Sequence, residues 1–148
     1  MHVITIAARK GGVGKTTLAT HLSVMVADPK RPVLLFDTDP QRSLAWWWQI
    51  RLGETPALIE CDARDLPKMI ETARKERVAF CIVDTPHAEN SILEAMRVAD
   101  IVLVPSRPGP FDLLALQLPS TWRNGLERRR WPSSTTRRHG QGRPSRRS

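Results

Sequence analysis

Lys10-Gly11-Gly12-Val13-Gly14-Lys15-Thr16-Thr17 stands between the apolar run Val3-Ile4-Thr5-Ile6-Ala7-Ala8 and a stretch with apolar residues at helical spacing, Leu18, Leu22, Met25 and Val26. Strand, glycine-rich loop and helix, in that order, form the context a phosphate-binding loop needs. Glycines reach backbone conformations barred to other residues, so consecutive N–H groups can turn inward on an anion. The helix that follows adds the partial positive charge of its N-terminus. In this arrangement Lys15 reaches the β- and γ-phosphates as a point charge, and the Thr16 hydroxyl is placed to ligate Mg²⁺. The ordinary pattern GxxxxGK[ST] fails, because Arg9 occupies its first glycine position, whereas the variant KGGxGKT matches in full. At a usage of about 7% per residue, six specified positions coincide at a given site about once in ~10⁷, so chance does not account for the match.

Outward from this loop the chain alternates strand and helix patterns. Lys15 to Ala27 predicts a helix, Val33 to Phe36 a strand, Ser43 to Leu52 a helix and Ala57 to Glu60 a short strand. Asp65 to Lys75 predicts a helix with Pro67 in its first turn, where proline is tolerated. Val78 to Val83 predicts a strand, Asn90 to Val98 a helix, and Ile101 to Val104 a strand ended by Pro105. Alternating strands and helices imply βαβ units, hence an α/β fold with a parallel sheet flanked by helices. The strands are continuous apolar runs, as a sheet covered on both faces requires. In such sheets ligands bind along the carboxyl ends of the strands.

The net charge of +8 is concentrated in one place. Residues 119–148 hold nine arginines and one acid, Glu127, which leaves residues 1–118 with 14 basic and 14 acidic side chains. The body, 1–118, is therefore balanced, and 119–148 is expected to be a basic tail without apolar period, disordered or at most locally helical. Cys61 and Cys81 form no CxxC pair and are expected to be free thiols in a reducing cytosol. The apolar run at Val3–Ala8 is too short for a signal segment or a membrane span, so the expected location is cytoplasmic, with no membrane partner. Trp46-Trp47-Trp48 point about 100° apart on a helix, so some of them meet solvent, a partner surface or the sheet edge.

Two further groups lie at strand ends. Asp37-Thr38-Asp39-Pro40-Gln41 follows the second strand, where paired carboxylates can bind Mg²⁺ waters and orient an attacking water; Asp39 would equally suit a helix cap. Asp84-Thr85-Pro86-His87 follows the strand that ends at Val83, with His87 read as a surface loop residue rather than a metal ligand. The KGGxGKT loop, the DxDPQ run at 37–41 and the DTP run at 84–86 together resemble the ParA/MinD group of P-loop ATPases. Where that family carries a second proline, this chain has His87. Pro105 to Asp112 is similar to the family's proline-rich segment beside the nucleotide.

The resemblance implies a P-loop NTPase fold that binds and hydrolyses ATP with Mg²⁺. It implies that Lys10, Gly11, Gly12, Val13, Gly14, Lys15, Thr16 and Thr17 bind nucleotide, with Lys10 reaching across a dimer to the partner's phosphates. Thr16, Asp37 and Asp84 would serve the metal, and Asp39 would position the attacking water. It further implies an ATP-dependent homodimer, a role in plasmid or chromosome partitioning, a centromere-binding adaptor as partner and non-specific DNA binding. Family members continue for two or three more βα units, so the chain is expected to be a C-terminally truncated or frameshifted copy; a minimised variant, a functional basic arm or an inactive copy are the alternatives. Membrane-positioning MinD-type and ligase-type members of the superfamily are the other readings. The first calls for an amphipathic C-terminal helix, and residues 119–148 offer no apolar face for one.

Overall fold

The computed structural model describes residues 1–109 and Trp122. Five strands, β1 (His2–Ile6), β2 (Val33–Asp37), β3 (Ala57–Glu60), β4 (Phe80–Asp84) and β5 (Ile101–Leu103), pair in parallel in the order β3-β2-β4-β1-β5. Four helices connect them: α1 (Lys15–Met25), α2 (Ser43–Ile50), α3 (Leu66–Lys75) and α4 (Glu89–Val98), with a 3-10 turn at Ala63–Asp65 leading into α3. All nine elements expected from the sequence are present, each within two residues at most of its boundaries.

The strands divide their side chains between two cores. In β2, Val33 and Leu35 join Ile4, Ile6 and Ile82 under Ala19 of α1 and Leu44 of α2. Phe36 turns the other way and packs with Val3, Cys81 and Val83 under Leu66, Ile70 and Ala73 of α3 and Ala95 of α4. This is the period of two expected of a strand, with both phases apolar because helices cover both faces. Cys81 is buried and Cys61 half-buried, both as free thiols; burial, the largest cause in each, pushes Cys61 up to about 11 and Cys81 up to about 12. Both thiols are thus poor nucleophiles.

Boundaries differ from the pattern for local reasons. β1 ends at Ile6 because the chain turns there into the glycine loop, although Ala7 N–H still bonds the Leu103 carbonyl at 2.9 Å. α1 stops at Met25, where the Val26 and Ala27 N–H groups close the last turn on Leu22 and Val24. α2 stops at Ile50, which leaves Leu52 fully outside the helix and in solvent.

Trp122, 2% exposed, packs with Ala7, Ile92 and Met96. Apart from Trp122, the expected basic tail 119–148 and the expected boundary at 118 lie outside the described residues, as do Pro110, Phe111 and Asp112 of the proline-rich segment. Among the described residues no helix is long and apolar enough to cross a membrane.

Phe36 is fully buried in the α3/α4 core. Truncating a buried phenylalanine removes its transfer energy and leaves a cavity. Phe36→Ala is expected to destabilise the fold by about 3–5 kcal/mol, read as a lower urea midpoint with little change in slope.

Candidate functional site

The strand order brings three sequence-distant turns together. β4 lies between β1 and β2, with Ile6 opposite Asp84 on one side and Asp37 opposite Asp84 on the other. The phosphate loop leaves β1, so loop, Asp84 and Asp37 emerge side by side at the carboxyl edge. Two bonds lock this edge. Thr38 Oγ1 donates to the Asp84 carbonyl at 2.7 Å, and Thr85 Oγ1 donates to the Ile6 carbonyl at 2.8 Å.

Within the loop, Gly12 and Gly14 adopt positive φ of 67° and 93°, a backbone that side-chain-bearing residues rarely take. Gly14 is the residue before α1, whose start carries no side-chain cap. The first N–H groups of α1 are thereby left for an anion, as a phosphate loop requires. An open cavity of about 880 Å³ lies above them, walled by Gly12, Gly14, Lys15, Thr16, Thr17, Thr20, His21, Asp39, Gln41, Arg42, Ser43, Trp46, Trp47 and His87.

Lys15 is buried, and its ammonium contacts His87 Nδ1 at 2.9 Å. Desolvation holds its pKa below the usual lysine value, against the attraction of the Asp84 and Asp39 charges. Thr16 Oγ1 donates to Asp84 Oδ2 at 2.6 Å. A hydroxyl that spends its proton on a carboxylate keeps its lone pairs for a cation. The second Asp84 oxygen, Oδ1, is buried with no hydrogen-bond partner among the described residues. Burial pushes Asp84 up to about 6, partly countered by the Thr16 bond.

A buried carboxylate oxygen without a donor, beside a hydroxyl with free lone pairs, fits a hydrated Mg²⁺. No group of three or more His, Cys, Asp or Glu side chains that could hold a metal occurs among the described residues. Mg²⁺ here would therefore take most of its ligands from phosphate and water, as it usually does.

Asp37 is already engaged by backbone. Its Oδ1 accepts from Asp39 N–H at 3.0 Å and its Oδ2 from Ala45 N–H at 2.9 Å. The capping role that the sequence allowed to Asp39 thus falls to Asp37, which ties β2 to the first turn of α2. Desolvation is the main cause that raises the Asp37 pKa. Asp39 is half-buried in the cavity wall, with Oδ1 accepting from Gln41 N–H at 3.0 Å.

Not every candidate lines the cavity. Lys10 is exposed on the loop and, with Gly11 and Val13, stands outside the cavity wall, while Asp37 and Asp84 lie buried behind it. Two residues went unassigned in the sequence. His87 is exposed as expected, yet its ring meets Lys15. Arg107, from the loop after β5, donates to the Gly12 carbonyl. Arg107 falls within the proline-rich segment already noted in the sequence, whereas no sequence signal pointed to the His87 contact. Of the three tryptophans, Trp46 is 64% exposed, Trp47 packs half-buried on the α1/α2 core and Trp48 Nε1 donates to the Pro56 carbonyl at 2.8 Å.

Residues 4–103 match the family model described as the CobQ/CobB/MinD/ParA nucleotide binding domain. The chain is 36% identical over 117 residues to Protein ParA of Rhizobium radiobacter, covering 76% of this chain and 51% of that protein. It is 35% identical over 117 residues to Maintenance of carboxysome distribution protein A of Gloeobacter kilaueensis, covering 77% and 53%. The chain thus spans about half the length of these curated relatives. The septum site-determining protein MinD of Pyrococcus horikoshii, solved with Mg-ADP, superposes with a TM-score of 0.66 at 20% identity, over 86% of this chain and 65% of that one. The likeness extends to the whole parallel sheet and its helices, the P-loop NTPase fold.

The buried Asp84 makes stability depend on pH. Its pKa is raised from 3.8 to about 6 in the folded chain, so the folded state holds a proton that the unfolded state releases. Stability of the nucleotide-free protein is therefore expected to fall as pH rises from about 4 to about 6, by on the order of 2 kcal/mol. Asp37 adds a change of the same sign. Asp84→Asn is expected to flatten most of this slope in urea titrations at stepped pH; an unchanged slope would show that Asp84 ionises freely.

Proposed function

Since the chain belongs to the CobQ/CobB/MinD/ParA nucleotide-binding family, we propose that it is a ParA-type ATPase, an ATP-dependent dimerisation switch that serves DNA or cargo partitioning with an adaptor protein. One observation carries the reading. The Thr16 hydroxyl bonds Asp84 at 2.6 Å at the foot of the glycine loop, beside an Asp84 oxygen left without a donor. That pair suits the metal of a Mg²⁺–nucleotide.

In this reading the N–H groups of Gly11 to Thr17 and the Lys15 ammonium bind the phosphates. Thr16 would hold a Mg²⁺ ion directly, with the buried Asp84 and Asp37 behind it acting through water, and the ion would supply charge neutralisation for the phosphates. Asp39, in the cavity wall with its Oδ1 accepting from Gln41 N–H, positions the attacking water through its carboxylate. Lys10, exposed beside the cavity, reaches the phosphates bound by a second copy. The apolar surface of Trp46, Ile50 and Leu52, 64%, 59% and 108% exposed, begins at the same cavity and supports an interface there. The relatives named ParA and carboxysome distribution protein favour the partitioning branch over the ligase branch of the superfamily.

Two variants separate the roles. Lys15→Ala is expected to weaken Mg²⁺–ATP binding about a hundredfold by calorimetry and to abolish ATP-dependent dimers in light scattering. Asp39→Ala is expected to bind ATP and dimerise like wild type while phosphate release falls at least about a hundredfold. A folded wild-type chain without affinity for Mg²⁺–ATP would sink the proposal.

A further inference from the structure

His87 stands where the resembled family carries a proline, and it is the residue that Lys15 touches. A charged ammonium has three donors and no acceptor, so with Lys15 charged the 2.9 Å contact places the accepting lone pair on His87 Nδ1. The matching ring form is the Nε2–H tautomer. The rest of the ring lies along the glycine loop, since a Cβ added to Gly11 would sit 3.5 Å from Nε2. The backbone that carries His87 is anchored on both sides. Thr85, fully buried, bonds the Ile6 carbonyl at 2.8 Å, and α4 begins at Glu89. The exposed ring thus meets the Lys15 ammonium through Nδ1 and the loop backbone at Gly11 through its other side.

The neighbourhood gives the placement a purpose. The charges of Asp84 and Asp39 both attract Lys15. A lysine collapsed onto either carboxylate would neutralise the group needed for the metal or the water and would withdraw its own charge from the phosphates. A neutral acceptor competes for one ammonium proton without adding charge, and it leaves the other two donors for phosphate oxygens. We infer that His87 is a positioning residue that holds the Lys15 ammonium over the phosphate loop, through Nδ1, and keeps it off Asp39 and Asp84. This rests on the nucleotide-binding reading above and names a determinant within that site.

The two ring nitrogens can be tested separately, because asparagine offers an acceptor near the Nδ1 position and glutamine near Nε2. The expected result is that His87→Ala and His87→Gln weaken Mg²⁺–ATP binding about tenfold, while His87→Asn stays within about twofold of wild type. Thermal melts check that all three variants fold. ¹⁵N spectra of the nucleotide-free full chain should show His87 as the Nε2–H tautomer, with an Nδ1 shift that moves in Lys15→Ala. Rescue by glutamine instead of asparagine, wild-type affinity in His87→Ala, or a proton on Nδ1 would each overturn the inference while leaving nucleotide binding intact. A wild-type chain that binds no Mg²⁺–ATP would overturn both readings together, and only that outcome touches the first.

Discussion

Everything at the site depends on a buried carboxylate at the end of a central strand. Asp84 is 1% exposed, flanked by β1 and β2, and its pKa rises to about 6 because water has been taken from it. Burying a carboxylate with one oxygen unpartnered is unfavourable, and such groups are retained where strain, ordered water, catalysis or a bound ion accounts for them. The surrounding bonds limit the cost without removing it. Thr16 gives Oδ2 a donor, and Thr38 closes the Asp84 carbonyl. Oδ1 remains buried without a donor among the described residues.

The same logic explains why the glycine loop and the second aspartate pair are built differently. The loop must keep its N–H groups unsatisfied, so α1 begins from a left-handed Gly14 without a capping side chain. α2 begins nearby from Arg42, also left-handed and also without a side-chain N-cap, but Asp37 reaches across from β2 to the Ala45 N–H. One helix N-terminus is thus left for an anion, and the other is filled from within. Asp37 holds Asp39 in place by accepting its N–H, so the more exposed carboxylate is carried on a braced turn.

Much of this was legible in the sequence. Among the described residues the apolar runs and helical spacings gave the five strands and four helices α1 to α4 within two residues, because a doubly covered parallel sheet demands continuous apolar strands. The KGGxGKT run announced the phosphate loop, since glycine spacing followed by lysine and threonine has few other uses. The sequence was less informative about division of labour. It offered Asp39 as a helix cap, and the cap is Asp37, since which carboxylate reaches a helix depends on the direction in which the chain leaves the strand. Nothing in a lone histidine three residues past an aspartate shows that its ring meets a lysine 72 positions earlier.

Local chemistry by itself determined the elements and the glycine loop, and it singled out the candidate phosphate and metal groups, because these depend on neighbours along the chain. Tertiary structure decided which of them meet. The order β3-β2-β4-β1-β5 inserts the fourth strand between the first two, and this alone sets Asp84 beside both Ile6 and Asp37. Strand pairing is a choice among distant segments, made by the burial of two apolar faces at once, and that choice put His87, Lys15, Thr16 and Asp84 at one edge of the sheet.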